Sequence, residues 1–411
     1  MRKESLKFNY LNYYKTLKWV ELNYSHCVAF NNYSGLYTDG FNVSIHASNY
    51  PLIFESPDSI PNDKFLVGIL SYDYKNHIEP LHSKHTSSIN FPDFGFFEPE
   101  LSIVFKGEEI EILAVNSSEI LEKIKDFVFE EIKNTTHIFL NEHTTKELYI
   151  NTLNKIKSEI HLGNVYEMNY CILFETSEIH IDPITIFKNL STNSPTPFLC
   201  FVKFDTNFLL CASPERFLKK QDKKLISQPI KGTKSVVENT QQEVFSLQSN
   251  LKEQNENVMI VDLVRNDLSK IAKAGTVKVD ELFGVYKFGN LYQMISTISA
   301  EIDNHVTFKD IVDATFPMGS MTGAPKLKTM ELTEKYENFK RNIYAGSVGY
   351  IEPNGNFDFN VVIRSIFWNA DNCKISFAVG SGITAMSNPE QEYDECLLKA
   401  EKILKVLNNL K

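Results

Sequence analysis

Residues 197–233 read PFLCFVKFDTNFLLCASPERFLKKQDKKLISQPIKGT and contain three strand-like runs at hairpin spacing. These runs and three later ones predict strands at 197–204, 207–212, 224–230, 345–352, 358–367 and 373–379. Helical patterns between and after them predict helices at 238–271, 307–314, 324–337 and 389–408. Many strands at hairpin spacing with interspersed helices indicate an α+β fold with largely antiparallel sheets, rather than an alternating βαβ fold.

The pattern of predicted elements changes gradually near residue 142, which divides the chain into an N-terminal region (1–141) and a second region (142–408). Short β-like runs separated by Pro, Gly, Asn and Ser dominate the first region. Two further helices and one further strand are predicted near this boundary, at 117–133, 144–163 and 165–174. The boundary therefore separates a strand-rich region from one in which strands and helices are mixed.

The composition sets the broad class of the protein. Of 411 residues, 43% are hydrophobic and 23% are charged, which is ordinary for a soluble globular protein. No apolar run approaches the ~20 residues that span a bilayer, and the start lacks a signal-peptide core. The six cysteines form no C-x-x-C pair, which favours a reducing compartment. We therefore expect a cytoplasmic protein without membrane partners, and the net charge of −10 without a basic block argues against nucleic acid.

Two pairs of glutamates have a spacing that places both side chains on one helix face. Glu253 with Glu256, and Glu392 with Glu395, are each i,i+3 on a predicted helix. Each pair is either a solvated face or a cation site. The apolar stretch after Glu256 favours the cation site, because an unpaired buried carboxylate is costly. Carboxylates without His or Cys suit Mg²⁺, which prefers oxygen ligands.

Two glycine-containing segments and one arginine predict anion binding. The segment 319–326 is interpreted as a loop entering a helix, with Thr322 as the N-cap and Pro325 in the first turn. The segment 380–382 is interpreted as a second loop, just before the last helix. Backbone N–H groups at such loops favour an anion. Arg364, in an apolar predicted strand, is either half of a structural ion pair or a carboxylate clamp.

Taken in order, these motifs and the runs SPERF (213–217) and QPIKGT (228–233) resemble the chorismate-utilising enzymes. That family comprises the anthranilate, aminodeoxychorismate, isochorismate and salicylate synthases. The resemblance covers most of 144–408, and the run SYDY (71–74) is similar to a segment of the two aminating branches. It implies two large antiparallel sheets packed orthogonally as a sandwich, with helices outside and chorismate bound between the sheets.

The resemblance also implies a metal site. Glu256 and Glu395 match the direct Mg²⁺ ligands of the family. Glu253 and Glu392 match carboxylates that hold the waters of the metal. In the family the metal binds the ring carboxylate of chorismate, so Mg²⁺ is the expected cofactor.

The remaining roles concern the substrate. The groups expected to contact chorismate are Tyr344 and Arg364 at its pyruvyl carboxylate, the N–H groups of Gly380 and Gly382, and the hydroxyl of Ser320. Glu215 matches the acid beside the C4 hydroxyl, the leaving group in chorismate chemistry. A carboxylic acid that protonates this hydroxyl needs a raised pKa, which a closed site of low dielectric would provide.

Lys231 distinguishes the branches of the family. Anthranilate synthases resemble this sequence but carry alanine at that point, and ammonia attacks ring carbon C2 directly. In the aminodeoxychorismate branch a lysine there is thought to attack C2, which directs nitrogen to C4. Because the attacking amine must be neutral, we expect a depressed pKa for Lys231. Isochorismate synthases need a lysine base where Glu167 stands, and anthranilate synthases carry a histidine where Gln293 stands, so the role of Gln293 is open.

The expected function is the Mg²⁺-dependent amination of chorismate at C4, for 4-aminobenzoate and folate synthesis. No glutaminase nucleophile motif occurs in the chain, so the resemblance implies a separate glutamine amidotransferase subunit that supplies ammonia. Two alternatives stand beside this function: an anthranilate synthase component I with an atypical lysine, and a non-catalytic chorismate-binding subunit. The presence of both Glu215 and Lys231 disfavours the second, since a binding module needs neither.

Overall fold

The computed structural model describes residues 3–4, 10–32, 37, 39–50, 56–61, 63–87, 89–107, 109–130, 138 and 141–408. In this part of the chain the helices are α1 Tyr10–Asn23, α2 Lys75–Ile78, α3 Ser117–Asp126, α4 Lys146–His161, α5 Pro183–Asn193, α6 Gln241–Gln248, α7 Leu251–Ser269, α8 Phe308–Thr315, α9 Lys326–Tyr336 and α10 Pro389–Leu407. Short 3₁₀ helices occur at Pro57–Ser59, Tyr72–Tyr74 and Gly319–Met321. None of the helices in the described residues is both long and apolar enough to cross a membrane.

The strands of the described residues form two large sheets, and every pairing is antiparallel. The first eleven strands are β1 Lys3–Glu4, β2 His26–Asn31, β3 Ser44–Ser48, β4 Leu66–Leu70, β5 Phe94–Phe97, β6 Leu101–Lys106, β7 Glu109–Leu113, β8 Asn141–Glu142, β9 Glu167–Thr176, β10 Phe198–Phe204 and β11 Asn207–Ser213. The others are β12 Arg216–Gln221, β13 Lys224–Gln228, β14 Ile230–Ser235, β15 Lys278–Phe288, β16 Leu291–Glu301, β17 Gly323–Ala324, β18 Ser347–Ile351, β19 Phe357–Asn360, β20 Ser365–Asn369 and β21 Lys374–Ile383.

The larger sheet has twelve strands in the order β1-β7-β6-β3-β2-β10-β11-β20-β21-β9-β17, with β8 also pairing β9. The smaller sheet has nine strands in the order β14-β16-β13-β12-β19-β18-β4-β5, with β15 also pairing β16. The predicted α+β class with two large antiparallel sheets is therefore confirmed. Both sheets join strands from either side of residue 142, through β2 with β10 and β4 with β18. The division into regions 1–141 and 142–408 stays a prediction.

Strands β2, β10 and β11 of the larger sheet are buried on both faces, so they are apolar runs rather than alternating ones. On β2, Cys27 and Ala29 belong to a cluster that includes residues of α1, α4, α5 and α10. The intervening Val28 and Phe30 belong to a second cluster that joins residues of both sheets and of α7. Because successive side chains of a strand point to opposite faces, one face of the sheet packs on helices and the other on the smaller sheet.

Two of the places where the main chain passes from one sheet to the other are adjacent. The chain leaves the larger sheet after β11 and enters the smaller one at β12, and it returns between β19 and β20. The two crossings are joined by backbone hydrogen bonds, from Val361 N–H to the carbonyl of Glu215 (3.0 Å) and from Ala212 N–H to the carbonyl of Arg364 (3.2 Å). The crossings therefore form one connected segment at the junction of the sheets.

Several predicted elements have different bounds in the structure. The helix predicted at 238–271 is two helices, because the Asn250 side chain accepts hydrogen bonds from the N–H groups of Lys252 and Glu253 and so starts α7 anew. The strand predicted at 358–367 is two strands, β19 and β20, separated by the crossing between the sheets. The helix predicted at 117–133 ends at Asp126, and positions 131–133 lie outside the described residues.

Three large elements were not predicted from the sequence: α1, α5 and the long hairpin of β15 and β16. Helices α4 and α10 lie where the sequence pattern predicted them. Helix α4 begins after Thr145, whose hydroxyl accepts a hydrogen bond from the N–H of Leu148, and it is followed by Gly163 with φ of 78°. Helix α10, predicted at 389–408, is capped by Asn388 and has Pro389 in its first turn. The cysteines of the chain are all free.

Candidate active site

Glu215 lies at the crossing between β11 and β12, and Arg364 lies at the adjacent crossing between β19 and β20. The backbone of Glu215 is held by Ser213, whose hydroxyl accepts a hydrogen bond from the N–H of Glu215 (3.1 Å) and donates one to its carbonyl (3.3 Å). Arg364 has a backbone φ of 53°, which non-glycine residues adopt uncommonly and often at functional sites. The fold therefore brings together two residues that the sequence separates by 149 positions (364 minus 215).

The carboxyl group of Glu215 is buried, with only 4% of the residue exposed. Burial raises the pKa of Glu215 to about 7, although the positive charges of Lys231 and Arg364 oppose the shift. This confirms the raised pKa expected for the acid of the site. At neutral pH a substantial fraction of Glu215 therefore carries the proton that an acid must donate.

The guanidinium group of Arg364 has no hydrogen bond or salt bridge to any residue that the structure describes. Burial lowers the pKa of Arg364 to about 10, and the negative charge of Glu215 only partly opposes this. A structural ion pair would have satisfied the guanidinium, so of the two roles open to Arg364 the carboxylate clamp agrees better with the geometry.

Lys231 lies on the edge strand β14 and points toward the larger sheet. Its amine Nζ is 2.5 Å from Oε1 of Glu167 on β9. Burial by itself lowers the pKa of Lys231, but the negative charges of Glu167, Glu256 and Glu215 outweigh it and raise the pKa above its ordinary value. The expectation of a depressed pKa was therefore wrong for the ligand-free protein. A depressed pKa was expected for an amine without a carboxylate beside it, and Glu167 supplies such a carboxylate.

The glutamate pairs of α7 and α10 face each other across Lys252. The amine of Lys252 is 3.8 Å from Oε1 of Glu256 and 3.6 Å from Oε1 of Glu392. Negative charge on Glu392, Glu256, Glu395 and Glu253 raises the pKa of Lys252 despite its partial burial. The two helices thus bring the four carboxylates close to the amine of Lys252, and each pair shares one helix face as its i,i+3 spacing predicted.

The individual carboxylates differ in their surroundings. Burial raises the pKa of Glu256 to about 7, and Glu167 and Glu253 add to the shift. Burial also raises the pKa of Glu253, whose Oε2 lies against Gly232. Glu395 differs because it is half exposed. Burial alone would raise the pKa of Glu395, but the amine of Lys399, 2.8 Å away, more than offsets burial, so the pKa is lowered.

The donor set fits Mg²⁺. Among the residues that the structure describes, no three His, Cys, Asp or Glu side chains form a ready-made metal cluster. Mg²⁺ usually keeps several waters and takes one or two protein carboxylates plus oxygens of a substrate, so it does not require such a cluster. Oε1 of Glu256 is buried without a hydrogen-bond partner in the described chain, as expected for an atom that ligates a cation.

The segment 380–382 is part of strand β21 and not a loop, so that interpretation of the sequence was wrong. Gly380, Ser381 and Gly382 continue the ladder with β9, opposite Cys171, Tyr170 and Asn169. The carbonyl of Gly380 accepts a hydrogen bond from the amine of Lys399 (2.8 Å), so its polar groups point away from β9. In an antiparallel strand, the N–H and C=O groups of every second residue point to the same side. The N–H group of Gly382 therefore points away from β9, as the polar groups of Gly380 do.

The segment 319–326 also differs from its prediction. The residues Gly319–Met321 form a 3₁₀ turn, and Gly323 and Ala324 form strand β17 against β9 before α9 begins. Thr322 does not cap α9, since its hydroxyl donates to the carbonyls of Met318 (3.0 Å) and Gly319 (3.3 Å). Pro325 occupies the N-cap position and not the first turn. The extra pairing with β9 separates the turn from the helix.

Ser320 remains close to the predicted acid in spite of this change. Ser320 and Glu215 line one small cavity of about 20 Å³. The hydroxyl of Ser320 is buried and faces the carboxyl group of Glu215, where its hydrogen bonding opposes the rise in the pKa of Glu215. A buried hydroxyl beside the predicted acid is consistent with a group that contacts the substrate.

Tyr344 and Gln293 each form a hydrogen bond with another side chain. The buried Tyr344 hydroxyl forms a hydrogen bond with the thiol of Cys171, and that thiol lies against Gly380. Tyr344 also lines a separate cavity of about 280 Å³ that Arg364 does not line. The side-chain oxygen of Gln293 accepts a hydrogen bond from Thr233 (2.9 Å) on β14, two residues after Lys231, while its amide nitrogen is buried without a partner in the described residues.

The buried ion pair of Arg341 and Glu337, which was not predicted from the sequence, connects the 3₁₀ turn at Gly319–Met321 with β9. Arg341 donates two hydrogen bonds to Glu337 (2.8 and 2.6 Å), and both side chains are 1% exposed. Arg341 also donates to the backbone carbonyls of Met321 (2.7 Å) and Asn169 (3.0 Å), so it ties the 3₁₀ turn to β9. The i,i+4 spacing of the pair was the only signal in the sequence, and many surface pairs share it.

Comparison with known proteins agrees with this arrangement. Residues 42–405 match the family of chorismate binding enzymes. The chain belongs to this family. It therefore belongs among enzymes that act on chorismate, as the motifs around Glu215 and Lys231 indicated.

Relatives in the family come from two branches. The aminodeoxychorismate synthase component 1 of Escherichia coli is 31% identical over 358 residues, covering 85% of this chain and 78% of the relative. The anthranilate synthase component 1 of Saccharolobus solfataricus is 30% identical over 339 residues, covering 80% and 77%. The crystal structure of anthranilate synthase component I from Streptococcus pneumoniae superposes with a TM-score of 0.76 at 22% identity, covering 98% and 92%. Overall identity thus confirms the family and fold and does not separate the branches.

Proposed function

We propose that this chain is component I of an aminodeoxychorismate synthase, which aminates chorismate at C4 with ammonia to give 4-amino-4-deoxychorismate. The observation that carries the proposal is the amine of Lys231, buried on the same side of the sheet junction as Glu215. An enzyme that adds ammonia directly at C2 has no need of a buried amine, whose desolvation is costly. The similarity to the Escherichia coli relative of that name supports the same branch.

The proposed reaction uses Lys231 as nucleophile and Glu215 as acid. The neutral amine of Lys231 forms a bond to C2, both ring double bonds shift toward C4, and the C4 hydroxyl leaves as water with the proton of Glu215. Ammonia then bonds to C4, both double bonds shift back, and the bond between C2 and Lys231 breaks with its electrons returning to nitrogen. The lysine blocks C2 during the first half of the reaction and so directs nitrogen to C4.

Other residues bind the substrate in this proposal. Arg364 pairs with the pyruvyl carboxylate, the N–H groups of Gly380 and Gly382 bind the same anion, and Tyr344 and Ser320 complete the contacts. Glu256 and Glu395 would hold Mg²⁺ directly, with Glu253 and Glu392 holding its waters. When bound, the cation neutralises the ring carboxylate of the substrate, which the acidic helices α7 and α10 would otherwise repel.

The nitrogen source and the cellular role follow from the same proposal. A protein called component 1 has a partner component, and we propose a glutamine amidotransferase subunit that supplies ammonia. The chain would then act in 4-aminobenzoate and folate synthesis, as a transferase of the transaminase class located in the cytoplasm. With free ammonium the chain alone should suffice.

An anthranilate synthase component I is the second candidate, because the Saccharolobus solfataricus relative has nearly the same identity and coverage. The two functions give different products. The proposed reaction retains the pyruvyl group and yields an amino-substituted chorismate, which becomes 4-aminobenzoate only when a separate lyase is added. The alternative yields fluorescent anthranilate and free pyruvate.

The deciding experiment incubates the purified chain with chorismate, Mg²⁺ and ammonium at mildly alkaline pH, and measures products by mass and by fluorescence. We expect amino-substituted chorismate from the wild type and a loss of at least about 100-fold in Lys231→Ala, the range for removal of a group used in the transition state. Lys234→Ala is the matched control, since Lys234 lies on the same strand but bonds the hydroxyl of Ser246. Anthranilate with pyruvate from the wild type would refute the proposal, and unchanged turnover in Lys231→Ala would remove the lysine from it.

A further inference from the structure

The pair of Lys231 and Glu167 connects the two sheets across the site. Lys231 is the second residue of β14 in the smaller sheet, and Glu167 is the first residue of β9 in the larger one. Their side chains are 11% and 2% exposed, and the distance from Nζ to Oε1 is 2.5 Å. Among the described residues, Glu167 is the one hydrogen-bond partner of the Lys231 amine. The position of the amine therefore depends on a residue from the opposite sheet.

The absence of a side chain at Gly382 leaves the space that Lys231 and Glu167 occupy. A Cβ atom at Gly382 would lie 2.7 Å from Oε1 of Glu167 and 2.8 Å from Nζ of Lys231. Both distances are shorter than non-bonded atoms tolerate, so any side chain at 382 would displace the pair. The amine thus lies directly against the backbone of β21, where the N–H groups of Gly380 and Gly382 point away from β9.

The second oxygen of Glu167 supports a role beyond packing. Oε2 of Glu167 is buried and has no hydrogen-bond partner within the described chain. A buried carboxylate whose only purpose is structural normally has its oxygens satisfied. The carboxylate of Glu167 therefore keeps a free acceptor beside an amine that must lose a proton before it can attack carbon.

We infer that Glu167 is the positioning residue of Lys231, which holds the amine against Gly382 and accepts its proton as the amine attacks. In that step an N–H bond of the Lys231 ammonium breaks, an O–H bond forms on Glu167, and the freed electron pair of nitrogen bonds to C2. When the bond to C2 breaks later, nitrogen recovers its electron pair and takes the proton back from Glu167. The inference rests on the covalent role of Lys231 in the proposed function.

The inference explains how one site can carry a lysine that is protonated at rest and a nucleophile during turnover. Glu167 together with Glu256 and Glu215 keeps the resting amine charged. A partner at hydrogen-bond distance supplies the proton acceptor without solvent, which is the geometry that general base catalysis requires. Glutamine at position 167 would keep the hydrogen bond with the amine of Lys231 but could not accept its proton.

The test compares Glu167→Gln and Glu167→Ala with wild type for C4 amination under free ammonium. We expect kcat to fall by about 100-fold or more in both variants, with the KM for chorismate nearly unchanged, because Glu167 acts on the lysine and not on the substrate. In the double variant Glu167→Gln/Lys231→Ala, no further loss beyond that of Lys231→Ala is expected, since residues acting as a unit are not additive. Lys234→Ala serves again as the control.

The outcomes separate this inference from the proposed function. If Lys231→Ala abolishes C4 amination while Glu167→Gln retains wild-type kcat, proton acceptance by Glu167 is refuted and the function stands. If Glu167→Gln is active and only Glu167→Ala is impaired, Glu167 positions the amine without accepting its proton, which also overturns the inference. If Lys231→Ala keeps full activity, the covalent mechanism itself fails. A loss in Glu167→Gln that adds fully to that of Lys231→Ala would assign Glu167 to a separate task.

Discussion

Replacing Glu215 by glutamine should stabilise the ligand-free protein at alkaline pH. The pKa of Glu215 is about 7 in the folded chain against an ordinary value of 4.5. Because the folded pKa is raised, the folded state resists ionisation that the unfolded chain undergoes freely. Stability therefore falls as the pH rises from the unfolded value through about 7, and glutamine, which does not titrate, escapes this loss.

The size of the effect follows from the shift in pKa. A difference of about 2.5 units at about 1.4 kcal/mol per unit gives a limit of about 3 kcal/mol. Linkage predicts that the advantage of Glu215→Gln in the free energy of unfolding is about 1 kcal/mol near pH 5 and about 3 kcal/mol near pH 8. The burial of the carboxyl group justifies using most of the shift, since solvent does not screen it.

Urea titrations without Mg²⁺ or chorismate at these two values of pH measure the difference between variant and wild type. Comparing the two proteins at each pH removes the contribution of Glu256, which titrates in both. Glu109→Gln is the control, because Glu109 lies on the exposed side of β7. An advantage of Glu215→Gln that is independent of pH, or that shrinks toward pH 8, would show that Glu215 is not a buried acid with a raised pKa.

Two further predictions concern the cation site. Glu256→Ala should weaken Mg²⁺ binding at least about 10-fold in calorimetry, which is the scale for disturbing the ligands of a metal. The control is Glu390→Ala in the first turn of α10, which should leave Mg²⁺ binding unchanged. Full activity of Glu256→Ala in EDTA-treated buffer would contradict the assignment. Lys252→Met should tighten Mg²⁺ binding about fivefold, since removing a half-exposed ion pair worth about 1 kcal/mol frees Glu256 and Glu392. An unchanged affinity would mean that the amine of Lys252 does not compete with the cation.

Much of the fold could be predicted from the sequence because its strands and helices carry strong local patterns. The hairpin of β10 and β11 and the capped helices α4 and α10 are examples, since apolar runs and cap residues are local signals. The errors arose where tertiary pairing decides the local structure. The segment 380–382 is a strand because β9 lies beside it, and Thr322 fails to cap α9 because β17 intervenes.

The candidate site residues could be proposed from the sequence because motifs and spacing are local signals, and their roles stay predictions. Their electrostatics could not be predicted in the same way. The pKa of Lys231 depends on Glu167, which is 64 positions away in the chain and belongs to the other sheet. Arg341 likewise reaches the carbonyl of Asn169 from 172 positions away. Contacts between distant segments decide protonation, and periodicity within one segment carries no information about them.

The two joined crossings between the sheets have a consequence for how such an enzyme can change its chemistry. The segments that carry Glu215 and Arg364 are joined by main-chain hydrogen bonds, so a shift of one segment displaces the other. Lys231, by contrast, lies on an edge strand with a neighbour on one side only. If the proposed mechanism holds, evolution can therefore vary the reacting group by single side-chain replacements on β14 and β9, while the segments that carry Glu215 and Arg364 keep their arrangement.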